Sequence, residues 1–140
     1  MIVLDTNVLS ELLRAIPDPA VVRWTASQPL NTLFTTTVTQ AEMLYGAKLL
    51  ASGQRRRQLE EALVALFEED FAGRVLPFDG DAAVAYAGIA AERKRSGRPI
   101  SQFDAQIAAI AQSRGGYLAT RNVGDFAACE LHIMNPWQQV

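Results

Sequence analysis

The sequence has little cysteine and little histidine, the residues that most often bind soft metals, form cross-links or serve as nucleophile and base. It contains one cysteine, Cys129, and one histidine, His132. A single thiol cannot close an internal disulfide, and an isolated histidine gives no support to Ser-His-Asp or Cys-His catalysis. We therefore expect Cys129 to be a small buried residue and His132 to pack in the core or at its edge.

Long apolar runs are also missing. No run approaches the roughly 18 apolar residues that span a bilayer, and no basic region precedes the apolar start of the chain. A chain of 140 residues can bury enough surface for one domain, which we place over residues 1–140. We expect a cytoplasmic protein that has no membrane partner.

Lysine is scarce, since 11 of the 13 basic residues are arginine. The formal net charge of -2 gives no overall nucleic-acid signature, but arginine clusters occur at 55–57 and 93–98. Arginine favours bidentate contacts with phosphate or carboxylate groups. Each cluster is therefore either a solvated helix face or a local phosphate-binding surface, and the sequence leaves both interpretations open.

The chain does contain a regular alternation of short apolar runs and helical patterns. Residues 2–4 are all apolar, which predicts a strand buried on both faces of a parallel sheet. Further strands are predicted at 33–36, 74–78, 117–120 and 131–134. Helices are predicted near 8–13, 20–27, 39–51, 55–71, 81–96 and 101–114. This order favours a single-domain α/β/α sandwich with a mainly parallel sheet, built by right-handed crossovers.

Four acids fall at the ends of predicted strands or the starts of predicted helices, namely Asp5, Glu42, Asp104 and Asp125. In open α/β sheets these positions share the edge where ligands bind, so we expect the four carboxylates to converge. Converging like charges destabilise a fold unless a cation compensates them. Carboxylate oxygens without His or Cys partners select Mg²⁺ or Mn²⁺ over Zn²⁺, and such an ion suits hydrolysis of a phosphodiester.

Each of the four acids also has a purely structural explanation. The first can cap a helix, and the last can close an Asx-turn. Glu42 and Asp104 fit capping boxes in which Thr39 and Ser101 are the caps. Caps do not need to converge on one edge of a sheet, however, so the predicted convergence favours a functional role.

The segment Thr120-Arg121-Asn122 follows a predicted strand at the same edge. Thr120 is placed to hold a carboxylate in position. Arg121 is either a phosphate ligand or an ordinary surface ion-pair partner, and the sequence does not decide between the two.

Four motifs, in order along the chain, resemble those of a known family. They are Val3-Leu4-Asp5-Thr6-Asn7, Thr39-Gln40-Ala41-Glu42 with Leu44-Tyr45-Gly46, Phe103-Asp104-Ala105-Gln106-Ile107-Ala108-Ala109, and Ala119-Thr120-Arg121-Asn122-Val123-Gly124-Asp125-Phe126. Each motif alone is weak, but all four at this chain length resemble the PIN-domain ribonucleases. The resemblance covers essentially the whole chain and is greatest to the VapC-type and FitB-type toxins of bacterial type II toxin–antitoxin pairs.

The resemblance implies a parallel five-stranded sheet and Mg²⁺- or Mn²⁺-dependent endoribonuclease activity. It implies that Asp5 and Asp104 are the metal ligands and that Glu42 is a third acid, which helps to hold the metal or to activate water. The fourth acid position stays open, because many members have Asp where this chain has Asn122, while Asp125 also lies in the shared motif. One carboxylate fewer is compatible with a one-metal site that Asp125 or a water completes, and the number of ions, one or two, stays open.

These inferences assign residues to two roles. The residues assigned to catalysis are Asp5, Glu42, Asp104 and Asp125. The residues assigned to substrate binding are Thr6, Thr120, Arg121 and Asn122. The expected partners are RNA, a cognate VapB-type antitoxin that occludes the site, and a second copy of the chain in a homodimer or in a hetero-oligomer with the antitoxin. Trp24 and the helix at 59–67 are either partner surfaces or core.

Two other functions remain open at this point. One is a non-catalytic PIN-like module that binds RNA or a protein partner. The other is a phosphatase that uses Asp5 as an aspartyl nucleophile. The phosphatase is less favoured, because haloacid-dehalogenase-like enzymes have Asp-x-Asp where this chain has Asn7 as the third residue.

Overall fold

A five-stranded, all-parallel sheet forms the centre of the protein. The computed structural model describes residues 1–138, and the order of its strands is β3-β2-β1-β4-β5. The strands are β1 (Ile2–Leu4), β2 (Leu33–Thr36), β3 (Val75–Leu76), β4 (Tyr117–Ala119) and β5 (Ile133–Met134). Central β1 places Ile2 opposite both Leu33 and Tyr117. The predicted parallel sheet is therefore confirmed.

Helices connect the strands and cover both faces of the sheet. They are α1 (Thr6–Leu12), α2 (Pro19–Ser27), α3 (Thr37–Lys48), α4 (Gln54–Ala65), α5 (Gly80–Arg95) and α6 (Gln102–Ser113). Short 3₁₀ turns occur at Leu30–Thr32 and Val123–Phe126. Within residues 1–138, none of the helices has the length and apolarity that crossing a membrane requires.

The alternation of side chains along β1 separates two apolar cores. Ile2 and Leu4 pack with buried residues of the first four helices, while Val3 packs with buried residues of α5 and α6. Successive residues of a strand face opposite sides of a sheet, so three consecutive apolar residues serve both cores. This arrangement confirms the predicted α/β/α sandwich.

The predicted helix at 55–71 ends earlier than its apolar pattern suggests. After α4 the backbone widens into a π-helical turn, Leu66–Asp70, in which the Phe71 N–H donates to the Leu66 carbonyl at 2.9 Å. The wider turn keeps Leu66, Phe67 and Phe71 in the same core. Trp24 is also core, with 6% of its surface exposed. Of the proposed partner surfaces, Trp24, Leu66 and Phe67 therefore belong to the interior.

Candidate active site

Three predicted acids face one cavity at the carboxyl edge of the sheet. The cavity has a volume of about 510 Å³ and is lined by Asp5, Glu42 and Asp104, together with Thr6, Arg121 and Asn122. Each acid comes from a different part of the chain: Asp5 follows β1, Glu42 lies in the second turn of α3, and Asp104 lies in the first turn of α6. The expected convergence of these three acids is therefore present in the structure.

Asp5 is the most deeply buried of the three acids, with 4% of its surface exposed. Its Oδ1 accepts from the Thr6 N–H and its Oδ2 accepts from the Thr120 hydroxyl, both at 2.8 Å. The pKa of Asp5 is raised to about 6. Burial is the largest cause, the two hydrogen bonds lower the pKa, and the charges of Asp104 and Glu42 add to the rise. Asp5 thus caps α1 as predicted and also presents its carboxylate to the cavity.

Glu42 does not take part in the predicted capping box. The cap of α3 is Thr36, the last residue of β2, whose extended backbone lets its hydroxyl accept from the Thr39 N–H at 3.0 Å. The helix therefore begins before Thr39, and the prediction that Thr39 caps it is wrong. Glu42 instead accepts from the Thr6 hydroxyl at 3.0 Å. Its pKa is raised, mainly by burial and further by the nearby charge of Asp104.

Asp104 lies in the first turn of α6, where the predicted cap is confirmed. The Ser101 hydroxyl accepts from the Asp104 N–H at 3.2 Å. Burial raises the pKa of Asp104, and the charge of Asp125 raises it further, whereas a hydrogen bond with the Ser101 side chain and the charge of Arg93 lower it.

The two candidates for the fourth position line different cavities, and Asp104 lines both of these cavities. Asn122 lines the large cavity. Asp125 is exposed in the 3₁₀ turn and shares with Asp104 a smaller cavity of about 190 Å³, which Asp5 does not line. Asp125 is therefore near enough to influence Asp104 but does not face the same cavity as Asp5.

The side chains of Thr120 and Asn7 connect the first and last motifs of the site. Thr120 is fully buried, and its oxygen accepts from the Asn7 amide at 3.2 Å and from the Asn122 N–H at 3.1 Å. Asn7 also accepts weakly from the Arg121 N–H at 3.4 Å. The hydrogen bond from Thr120 holds the Asp5 carboxylate in position, as its place in the sequence suggests. Whether Thr6, Thr120, Arg121 and Asn122 bind substrate stays a prediction.

The donor set suits a hard cation in chemistry, although no cage is already formed. Within residues 1–138, none of Asp5, Glu42 and Asp104 forms an ion pair, and no three acidic, histidine or cysteine side chains are arranged to hold a metal ion. Burial and mutual repulsion raise the pKa of Asp5 and of Glu42, a cost that a cation among them would relieve. Oxygen donors of this kind fit Mg²⁺ or Mn²⁺.

The family model of the PIN domain matches residues 2–128. The chain belongs to the PIN domain family. It is 44% identical to VapC ribonuclease Y4jK of Sinorhizobium fredii, with 99% of each chain covered. It is 41% identical to Toxin FitB of Neisseria gonorrhoeae, with 98% of this chain and 99% of the relative covered. The resemblance inferred from the four motifs is confirmed.

A solved structure, that of FitAB bound to IR36 DNA fragment, shares the arrangement of this PIN domain. Its matching chain superposes with a TM-score of 0.93 at 40% identity, and the match covers 100% of this chain and 98% of that chain. The five parallel strands and flanking helices described above are therefore those of the PIN fold.

Sequence reasoning misses several residues of the PIN cavity, among them Glu11, Arg14 and Trp137. Glu11, which is 6% exposed, accepts from Arg14 at 3.1 Å and from the Asp18 N–H at 3.2 Å. Glu11 and Arg14 follow Asn7 at helical spacing and face the same cavity. The helical period of α1 could therefore have predicted that these two residues line the site. Trp137 also lines this cavity, but it follows the last predicted strand, where no pattern marked it.

The two arginine clusters lie in different environments in the PIN fold. Arg56 pairs with Glu60 at 2.7 Å, which agrees with a solvated helix face. Arg93 is buried, with 4% exposed, so neither interpretation applies to it. Its guanidinium donates to the carbonyls of Arg98, Asp125 and Ala127 at 2.6, 2.7 and 3.0 Å. Arg93 therefore holds the segment after β4 by its backbone, which residue spacing in the sequence could not reveal.

Proposed function

We propose that this protein is a Mg²⁺-dependent endoribonuclease, with Mn²⁺ as the alternative ion, and that it is the toxin of a type II toxin–antitoxin pair. The observation that carries the proposal is the cavity shared by Asp5, Glu42 and Asp104, whose carboxylates lack a cationic partner within residues 1–138. The names of the two relatives, a ribonuclease and a toxin, support it.

In this proposal, Asp5 and Asp104 hold the ion, and Glu42 helps to hold it or to activate water. Each oxygen of Asp5 accepts one hydrogen bond and retains acceptor capacity for an ion. Glu42 and Asp104 are only partly buried, so their side chains have room to turn toward an ion beside Asp5. Asp125 supports Asp104 from the smaller cavity.

The chemistry follows from the charges in the cavity. Held by Asp5 and Asp104, a Mg²⁺ ion would lower the pKa of a water molecule and would neutralise charge that develops on the phosphoryl oxygens. Arg121 and Arg14 also line the cavity, and they supply positive charge for the phosphates of RNA. Thr6 and Asn122 complete the proposed substrate contacts, and Thr120 keeps Asp5 in place.

The proposed partner is a VapB-type antitoxin, as the resemblance to toxins of this kind implies. An apolar groove of about 410 Å³ runs beside the acid cavity and is lined by Leu13, Met43, Leu59 and Leu63. Thr6 and Glu42 line both the groove and the cavity. A segment of antitoxin in this groove would therefore reach the acids. A homodimer and a cytoplasmic location stay predictions.

Cleavage of single-stranded RNA by the purified protein tests the proposal. We expect cleavage after addition of Mg²⁺ or Mn²⁺ and none with chelator present. Loss of even an outer partner of a metal site costs about 10–100-fold, so Asp5→Asn and Asp104→Asn should each reduce cleavage by more than about 100-fold. The matched control is Glu69→Gln, which changes an exposed acid outside the cavity. Equal rates for the parent and Asp5→Asn would contradict the proposal.

The alternative is a non-catalytic PIN-like module that binds RNA or a protein. The observation that favours it is the lack of a ready metal cage in the described part of the chain. Calorimetric titration of the parent with Mg²⁺ and with Mn²⁺ at low salt separates the two functions. Binding that Asp5→Asn abolishes supports the nuclease, whereas no binding of either ion favours the alternative.

A further inference from the structure

An aromatic ring lies in the acid cavity, and the sheet holds it there. Trp137 follows the end of β5 and lines the cavity together with Asp5 and Glu42. Its ring packs against the core beneath α1–α4, and its backbone N–H donates to the Asn135 side-chain oxygen at 3.0 Å. The ring is half-buried. It is therefore supported from below and retains surface that faces the cavity.

The guanidinium of Arg121 lies over this ring, with its carbon 5.2 Å from the ring centroid. Both residues come just after neighbouring parallel strands, β4 and β5. The Thr120 N–H donates to the Met134 carbonyl at 2.9 Å, which ties the two segments together immediately before Arg121 and Trp137. The sheet edge thus builds a pair of an aromatic face and a planar cation in the cavity that holds the acids.

We propose that Trp137 and Arg121 form a nucleobase subsite, in which one base of single-stranded RNA takes the place of the Arg121 guanidinium over the indole and Arg121 turns to contact the adjoining phosphate. This inference rests on the proposed function and adds to it the residues that hold the substrate. Sequence-tolerant binding of single-stranded RNA uses aromatic faces and arginine in this way.

The charges in the cavity favour contact of the base with Trp137 and of the phosphate with Arg121. The carboxylates repel phosphate, so they leave the region around Arg121 as the better position for a phosphate near the acids. The volume of about 510 Å³ lies within the range of sites that enclose small organic ligands. A protein partner is less favoured as the occupant, because Trp137 lies outside the apolar groove beside the cavity.

Tryptophan fluorescence tests base stacking without any need for cleavage. The chain has two tryptophans, and Trp24 is buried in the core, so Trp24→Phe leaves Trp137 as the only reporter. In a Trp24→Phe, Asp5→Asn protein whose circular dichroism spectrum matches that of the parent, we expect saturable quenching by a short single-stranded RNA. An abasic ribose-phosphate oligomer of equal length should bind at least about ten-fold more weakly and quench little.

Two fluorescence outcomes would overturn the inference. One is unchanged fluorescence at an RNA concentration where filter binding shows a complex. The other is equal quenching by the abasic oligomer. Fluorescence that changes only in the complex co-purified with the antitoxin would assign the ring to a protein partner and would also overturn the subsite.

Cleavage kinetics give an independent arm. We expect Trp137→Leu to raise the KM for RNA about ten-fold with little change in kcat, and Trp137→Phe to restore most of the loss. The matched control is Tyr117→Leu, an exposed aromatic at the opposite end of β4 that does not line the cavity. An unchanged KM for Trp137→Leu in a parent that cleaves RNA overturns the subsite alone. A parent that cleaves no RNA with either ion overturns the proposed function, and the fluorescence arm then decides whether bases bind.

Discussion

Arg93 and Asp5 are buried side chains of opposite charge, and their surroundings differ. Arg93 is 4% exposed and meets backbone carbonyls of Arg98, Asp125 and Ala127. Asp5 is equally buried, and its pKa is raised to about 6 by burial and by the neighbouring carboxylates. The positive charge is matched by acceptors from the fold itself, whereas the negative charge lies among groups of its own sign.

The difference distinguishes a structural charge from a functional one. A buried charge that is fully hydrogen-bonded stabilises the local fold. Its removal lowers the free energy of unfolding, because the groups that it bonded remain buried without a partner. A buried charge kept beside like charges lowers stability unless a ligand compensates it. Arg93 therefore belongs to the framework and Asp5 to the site.

Removal of Arg93 should give the largest change in stability. Arg93→Ala leaves three carbonyls without their charged donor, so we expect the free energy of unfolding to fall by about 3–5 kcal/mol in urea titrations. RNA cleavage should fall as well, because the released segment carries Asp125. The control is Arg95→Ala, an exposed arginine of the same helix end, which should change stability by less than about 0.5 kcal/mol. Equal stability of the two variants would contradict the structural role of Arg93.

Removal of the Asp5 charge should have a smaller effect of opposite sign. Because the pKa of Asp5 rises from 3.8 to about 6 on folding, the metal-free protein should lose stability as pH rises between these values. Above about pH 6 we expect Asp5→Asn to be more stable than the parent by about 1–3 kcal/mol. Below about pH 4 the two proteins should become alike, since Asp5 is then neutral in both states.

Urea titrations of both proteins across this pH range measure the effect. Added Mg²⁺ should stabilise the parent and leave Asp5→Asn unchanged, because only the parent keeps the proposed ligand. A parent whose stability relative to Asp5→Asn increases between pH 4 and 6 would show that burial does not raise this pKa.

The smallest change in stability is expected when an arginine of a surface ion pair is removed. Arg56 pairs with Glu60 on the surface of α4, where water and salt screen the pair. We expect Arg56→Ala to shift the urea midpoint by no more than the error of repeated measurements. A clear loss of stability that persists in high salt would show that this arginine resembles Arg93 and not the solvated face predicted for it.

The capping residues show which helix starts can be predicted from residue spacing and which cannot. Ser101 caps α6 as predicted, and Asp5 caps α1 as predicted. Thr39 does not cap α3, because Thr36 lies at the point where β2 leaves the sheet and captures the Thr39 N–H. A capping box can be recognised from spacing, but the residue at which a strand ends depends on its neighbours in the sheet.

The Arg93 contacts and the position of Trp137 lay beyond sequence reasoning for a related reason. Arg93 bonds to backbone atoms more than thirty residues away, at Asp125 and Ala127. Such atoms carry no side-chain signature, so no residue pattern can indicate them. Trp137 enters the cavity because β5 pairs with β4, and that pairing is long-range.

The amino-acid sequence by itself determined the α/β/α architecture with a mainly parallel sheet, and three of the four acids that it named face one cavity. It could do so because strand burial, helical period and the shared edge of parallel strands are local or topological rules. Tertiary structure alone decided that Asp125 lies beyond Asp104 while Asn122 faces Asp5, that Thr6 holds Glu42, and that Arg93 is buried. These facts depend on distances of a few ångströms between segments remote in sequence, and packing fixes such distances only once the whole domain has folded.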